Sequence, residues 1–256
     1  MLSRRYSDAA LIWIFWVLVG VTPPGVGSAS ALTFEENKEV ALEITMLFRA
    51  ARAVISKYQR HINDPNTGDK GLTPEKVLEE AKANYEKSTG KPFRLEAGTT
   101  LKGLAQLAML NAIREVMKNA QPLINERGRG FKGFLPAVFA RLVADSFNRL
   151  MKGRAYIKLT APRAYIRNRS NRPDKWEHNV IENVFKQANY PKDKPFMEEA
   201  RHRGRAAFRL IIPEYYGKSC LTCHGEPRGE RDLTGGKKEG GKLGELGGAI
   251  SFAIYN

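Results

Sequence analysis

The chain holds only two cysteines, and they stand as Cys220-Leu221-Thr222-Cys223 with His224 directly behind. Cys-x-x-Cys-His is the attachment pattern of a c-type haem. Two thiols three positions apart can each form a thioether with one haem vinyl. The tether then holds the next imidazole beneath the porphyrin, which makes His224 the proximal iron ligand. Three other uses of the pair are weaker. A zinc site needs a fourth ligand, and no second Cys pair or His-x-x-x-His supplies it. A disulfide inside Cys-x-x-Cys closes too small a loop to stabilise much. A thioredoxin-like pair normally opens a helix after a strand in a βαβ unit, and that pattern is missing here.

The N-terminus bears on the compartment. Arg4 and Arg5 precede an apolar run from Ala9 to Val21, Pro23 and Pro24 break it, and Ala29-Ser30-Ala31 is a small-residue cleavage pattern. This reads as a signal peptide over residues 1–31, followed by a single domain over 32–256. The apolar run is short for a bilayer span, so the membrane enters only if that segment stays uncleaved. A periplasmic or secreted location agrees with c-type haem, which is attached outside the cytoplasm. Lysine and arginine number 42 against 27 aspartates and glutamates, a net charge of +15. The basic residues are spread along the chain without a nucleic-acid-binding motif, so a solvated basic surface is expected, with no nucleic-acid partner.

Hydrophobic spacing predicts helices first. Thr33-x-x-Glu36 is a capping box, and Val40, Ile44, Leu47, Phe48, Ala51, Val54, Ile55 and Tyr58 follow at helical intervals, one helix to about His61. Thr73-Pro74 starts a second helix to about Lys87. Thr100 caps a third, which Pro122 is expected to end or kink near Gln121. Pro136 opens a fourth, stopped by Gly153. Beyond it the pattern turns strand-like at Tyr156–Thr160, Ala164–Ile166, Phe208–Ile212 (closed by Pro213) and Ala249–Ile254, with a helix after Pro173-Asp174. Arg228–Glu245, rich in Gly and Lys, reads as mobile surface. Helices followed by strands indicate an α+β fold, with the Cys-x-x-Cys-His segment between two late strands.

Several further motifs stand in order: Ile62-Asn63-Asp64-Pro65, Asp69-Lys70-Gly71-Leu72-Thr73, Phe131-Lys132-Gly133-Phe134-Leu135-Pro136, Arg167-Asn168, Asn171-x-Pro173-Asp174-x-Trp176-Glu177, Pro213-Glu214-Tyr215-Tyr216, Asp232-x-Thr234-Gly235 and Gly244–Ser251. Together with the haem motif, they resemble a family of exported monohaem c-type proteins long catalogued as a domain of unknown function. Similar domains serve as extracytoplasmic input modules of bacterial sensors. The resemblance covers nearly the whole chain after residue 31. It implies a PAS-like antiparallel sheet flanked by helices, one covalent haem c, and a redox or sensory role with a redox or signalling partner. This chain carries Gly236-Lys237 where some relatives have Tyr-Pro, so the loop after the haem is expected to differ.

With both thiols consumed as thioethers, the far side of the iron falls to another residue or stays open to water. Met117 lies in a segment similar to one from which family members present a soft ligand, and a thioether would raise the reduction potential relative to bis-His. Core packing is the competing role for Met117. His61, His178 and His202 are the other candidates. Arg167 is a candidate propionate partner. Trp176 could pack on the porphyrin edge, although Asn168, Pro173, Trp176 and Glu177 equally suit a fold-stabilising turn. Tyr216, with Tyr215, is expected to pack against the haem.

The function expected is redox or gas sensing, or single-electron transfer, with no catalytic residue assigned. The alternatives are a peroxidase- or reductase-like haem enzyme, which needs distal acid–base groups over an open iron, and a basic binding protein without haem. A homodimer through the long first helix is the oligomer the sequence suggests.

Overall fold

The computed structural model describes residues 32–255, so the signal segment read at residues 1–31 lies outside the described residues. The first helix, α1, spans Phe34–Lys57, and its capping box forms: Thr33 accepts from Glu36 N while Glu36 reaches back to Thr33 N. Its apolar stripe from Val40 to Ile55 is buried, as the spacing predicts. The expected run to His61 breaks at Tyr58, and a separate turn, α2 (Gln59–Ile62), follows. Tyr58 turns its hydroxyl to Glu80 at 2.6 Å on the second long helix, α3 (Pro74–Thr89). α3 starts on a Thr73 cap with Pro74 at its first position and stops at Gly90, whose φ of 71° only glycine adopts cheaply.

Helix α4 spans Leu101–Ile124 and keeps Pro122 inside it, so of the expected end or kink near Gln121 the end does not occur. The proline, in the last turn, costs one backbone bond, the one to the Lys118 carbonyl. Side chains staple that turn: Gln121 donates to Met117 O and Leu72 O, each at 3.0 Å, and Asn125 donates to Gln121 at 3.2 Å. Helix α5 (Pro136–Met151) completes the helical half and leads into β1 (Ala155–Thr160).

The second half builds one four-stranded antiparallel sheet in the order β1-β4-β3-β2. Here β2 is Phe196–His202, β3 is Arg205–Tyr215 and β4 is Leu246–Tyr255. One face carries Ile157, Phe208, Leu210, Ile212, Ile250 and Phe252 into the core formed with α1, α3, α4 and α5. Each such side chain contributes about 1.5–3 kcal/mol through removal from water. The other face places Ile211 and Ala249 against Val180, Ile181 and Phe185. Those residues come from α6 (Lys175–Val180) and the π-helical turn after it (Ile181–Phe185). The α+β architecture, helices first and an antiparallel sheet after, is therefore as expected.

Two local expectations fail. Ala164–Ile166 is not a strand: Arg163–Tyr165 forms a 3-10 turn just behind Pro162. β3 runs through Pro213 instead of ending there. β2 pairs only as far as Ile211, so the missing N–H of Pro213 faces no ladder on that side. The sequence of β2 gives no strand signal, because Phe-Met-Glu-Glu-Ala-Arg-His carries no β-branched residue and has the polar character of an edge.

Candidate functional site

Cys220 and Cys223 lie between β3 and β4, the two central strands. The pairing of β3 and β4 shifts register at Glu214/Tyr215, and the chain then leaves the sheet through Gly217. One short helix, α7 (Leu221–His224), follows. Cys220 N–H bonds Gly217 O at 3.0 Å, and His224 N–H bonds Cys220 O at 3.0 Å. Both thiols are free and part-exposed on this single turn, with the imidazole beside them.

The following loop folds back over the turn. Gly241 N–H donates to His224 O at 2.7 Å, Gly244 N–H to Tyr216 O at 2.8 Å, and Tyr216 N–H to Glu245 O at 2.9 Å. A short bridge between Arg231 and Lys237 holds its outer part. Arg228–Glu245 is mostly exposed, as expected of surface, and these bonds tie it to the Cys220–His224 turn. Its glycines permit a close approach: a methyl group at Gly241 or Gly247 would overlap the Tyr216 ring, which lies between them.

That loop delivers Glu239. Its carboxylate accepts from His224 Nδ1 at 2.8 Å, while the Tyr216 ring stacks on the imidazole at 5.3 Å and 20°. His224 Nε2 makes no hydrogen bond among the described residues. Arg167 lies behind Glu239, donating to Glu239, Asp232 and the carbonyls of Cys223 and Lys237. Burial weakens each of these charges, and the pairing outweighs it. Glu239 is held below the usual carboxylate range by Arg167 and His224, and Arg167 above its ordinary value by Glu239 and Asp232. Asp232 is held at about 2 by its Thr234 and Arg167 bonds, again against burial. The hydrogen bond to Glu245, with burial behind it, pushes the Tyr165 phenol up to about 12, and burial raises that of Tyr216. Burial also pushes the Cys223 thiol up, the opposite of an activated redox nucleophile.

Cys220, Cys223, His224, Arg167 and Tyr216 are therefore brought together. Met117 is not with them: it is fully buried in the helical core on α4, and no hydrogen bond or ring contact of residues 216–247 reaches α4. Two of the other distal candidates are engaged elsewhere. His61 pairs with Lys70 O at 3.0 Å, and His202 with the Tyr255 hydroxyl at 2.7 Å. His178 lies on α6, and its buried Nδ1 has no hydrogen-bond partner among the described residues. Trp176 donates to Glu198 at 2.5 Å and lies under the Arg209 guanidinium, and Glu177 closes a second capping box with Asp174. That motif builds the fold.

Sequence reasoning did not single out Glu239, Asp232, Arg49, Arg52 or Glu214 as site residues. Arg49 and Arg52 of α1 share the Glu214 carboxylate at the end of β3. Burial, then the Arg49 charge, lowers Arg52 to about 10, and the nearby Cys220 sulfur partly offsets this. The signals existed in Asp232-x-Thr234-Gly235 and Pro213-Glu214. Glu239 gave none, as one acid in a Gly/Lys-rich run. Among the described residues no cluster of three or more His, Cys, Asp or Glu side chains could hold a bare metal ion, and no helix is long and apolar enough to cross a membrane.

The family model described as Tll0287-like matches residues 35–254. No curated protein and no solved structure matches the chain.

Proposed function

The chain belongs to the Tll0287-like family, and we propose that its Cys220–His224 turn carries one covalent c-type haem in an exported single-electron redox protein. One observation carries this reading. Cys220, Cys223 and His224 share one helical turn, with His224 Nδ1 occupied by Glu239 and Nε2 without a partner among the described residues.

The donor set fits the group. Two free, part-exposed thiols stand at the spacing thioether formation needs, and the imidazole offers one nitrogen. A haem held there supplies a one-electron iron couple whose potential depends on its ligands and their hydrogen bonds. The protein's own part is positional. Glu239 holds the Nδ1 proton, which fixes the tautomer that leaves the Nε2 lone pair free. A carboxylate in that place also raises the basicity of the imidazole. Arg167 neutralises Glu239 and ties it to the Cys223 carbonyl, so the turn and the acid keep one geometry. Tyr216 covers one face of the imidazole and limits its rotation.

Haem-staining and pyridine haemochrome spectra, on protein produced with the c-type maturation machinery, test the reading. The wild type should give a spectrum with both vinyls saturated. Cys220→Ala and Cys223→Ala should each shift it to that of a single thioether, and a wild type without haem absorbance would overturn the proposal. Carbon monoxide binding on reduction would move the role from electron transfer to gas sensing.

A further inference from the structure

A cleft of about 500 Å³ adjoins the His224 surroundings, lined by Arg163, Ile166, Arg167, Arg169, Arg172 and Pro173. Four of those six residues are arginines and none is acidic. Its size falls within the range of small-molecule sites, about 300–1,000 Å³.

Local structure forces the arginines to converge. They ride on the 3-10 turn Arg163–Tyr165 and a second one at Arg169–Asn171. Asn168 Oδ1 accepts from Ser170 N at 3.0 Å and from its hydroxyl at 2.9 Å. Thr160 donates to Asn171 O at 3.1 Å, and Lys158 Nζ to Arg172 O at 2.6 Å. The backbone beneath the guanidinium groups is therefore pinned from both sides. Arg163, Arg169 and Arg172 are exposed, and their side chains make no ion pair or hydrogen bond among the described residues. Other arginines of the described residues find carboxylates, as Arg149 does with Glu115 and Arg209 with Asp174, or, like Arg60 and Arg94, stand without an ion pair; what sets Arg163, Arg169 and Arg172 apart is that they line one cleft together with Arg167.

We propose that this cleft binds a small multivalent oxyanion, phosphate- or carboxylate-based, and that its occupancy is felt at His224. Guanidinium forks take such oxygens in pairs, and like charges gathered on a fixed backbone gain most from a ligand carrying several negative charges. Concavity and arginine in place of lysine favour a small ligand over a flat acidic protein surface. The link to His224 is Arg167, which lines the cleft and also binds Glu239, the acceptor of the His224 Nδ1 proton. An oxyanion against Arg167 draws part of its charge from Glu239. Glu239 then leans harder on the imidazole, which favours the oxidised centre. This second half rests on the haem reading above.

The test is titration calorimetry on the purified haem-loaded protein with inorganic pyrophosphate, with citrate in parallel and sodium chloride at matched ionic strength as control. The expected result is saturable binding of at least one probe, weakened about tenfold or more in R169A/R172A, since each charge-assisted bond is worth about 1.5–3 kcal/mol. The reduction potential should fall as the probe binds to the wild type. Binding of pyrophosphate alone would assign a phosphate ligand, and binding of citrate alone a carboxylate. No saturable heat with either probe, or equal affinity in R169A/R172A, overturns the site. Saturable, arginine-dependent binding with an unmoved potential overturns the coupling. Colourless protein that still binds overturns the haem reading and leaves the cleft standing.

Discussion

Glu239 accepts the Nδ1 proton of His224 at 2.8 Å, although the sequence places the acid in a loop of little apparent order. With the proposed haem bound at His224, the carboxylate would stabilise positive charge on the ligand side of the iron. Glu239→Gln keeps an acceptor and removes that charge. The reduction potential should therefore rise, on the order of 50 mV, equivalent to about 1 kcal/mol for a one-electron couple. Spectroelectrochemical titration of both proteins measures it, and an unchanged or lower potential would break the link between Glu239 and the centre.

Tyr216 lies between Gly241 and Gly247, and a methyl at either position overlaps its ring. Gly247→Ala should destabilise the fold by about 1–3 kcal/mol, the usual range for overpacking. Tyr216→Ala would remove the obstacle, so the double variant should lose less than the sum of the two single ones. Denaturant unfolding of all four proteins reads the coupling, and strict additivity would show that the ring is not the obstacle.

Arg209 is almost fully buried beneath α6, donating to Asp174 at 2.7 Å and lying over Trp176. Glu177, buried beside it, keeps Lys158 at 3.1 Å as its other cation. Arg209→Ala should cost about 3–5 kcal/mol, the scale for stranding one partner of a buried pair. Thermal unfolding checks it, and a loss within experimental error would mean that the α6 face repacks without the ion pair.

His202 is buried between Tyr156 and Tyr255. Burial first, then the charges of Arg209 and Arg203, depress its pKa from 6.5 to about 4. Below pH 6.5 the unfolded chain takes up a proton that the folded one refuses until about pH 4. Its contribution is thus complete above pH 6.5 and falls away as the pH drops through that window. Denaturant midpoints between pH 4 and 8 should show the decline in the wild type and a shallower one in His202→Gln. Equal slopes would remove His202 as the source.

Residues with one local partner were readable in the sequence. The Thr33, Thr73 and Thr100 caps, the α1 stripe and the Cys-x-x-Cys-His turn each depend on neighbours within a few positions. What stayed hidden depends on long-range placement. Pro213 looks like a strand breaker until β2 is seen to end short of it. Met117 has the chemistry of a ligand, but its helix face turns into the core. Arg167 stood out in the sequence, whereas the acids that hold it came from a loop about seventy residues away, where spacing carries no information.

The most direct measurement is the mass of the purified protein after treatment with a thiol-alkylating reagent under denaturing conditions. The expected result is the mass of one haem added to the chain and no alkyl group taken up, with Cys220 and Cys223 both bound as thioethers. A chain of bare polypeptide mass carrying two alkyl groups would contradict it.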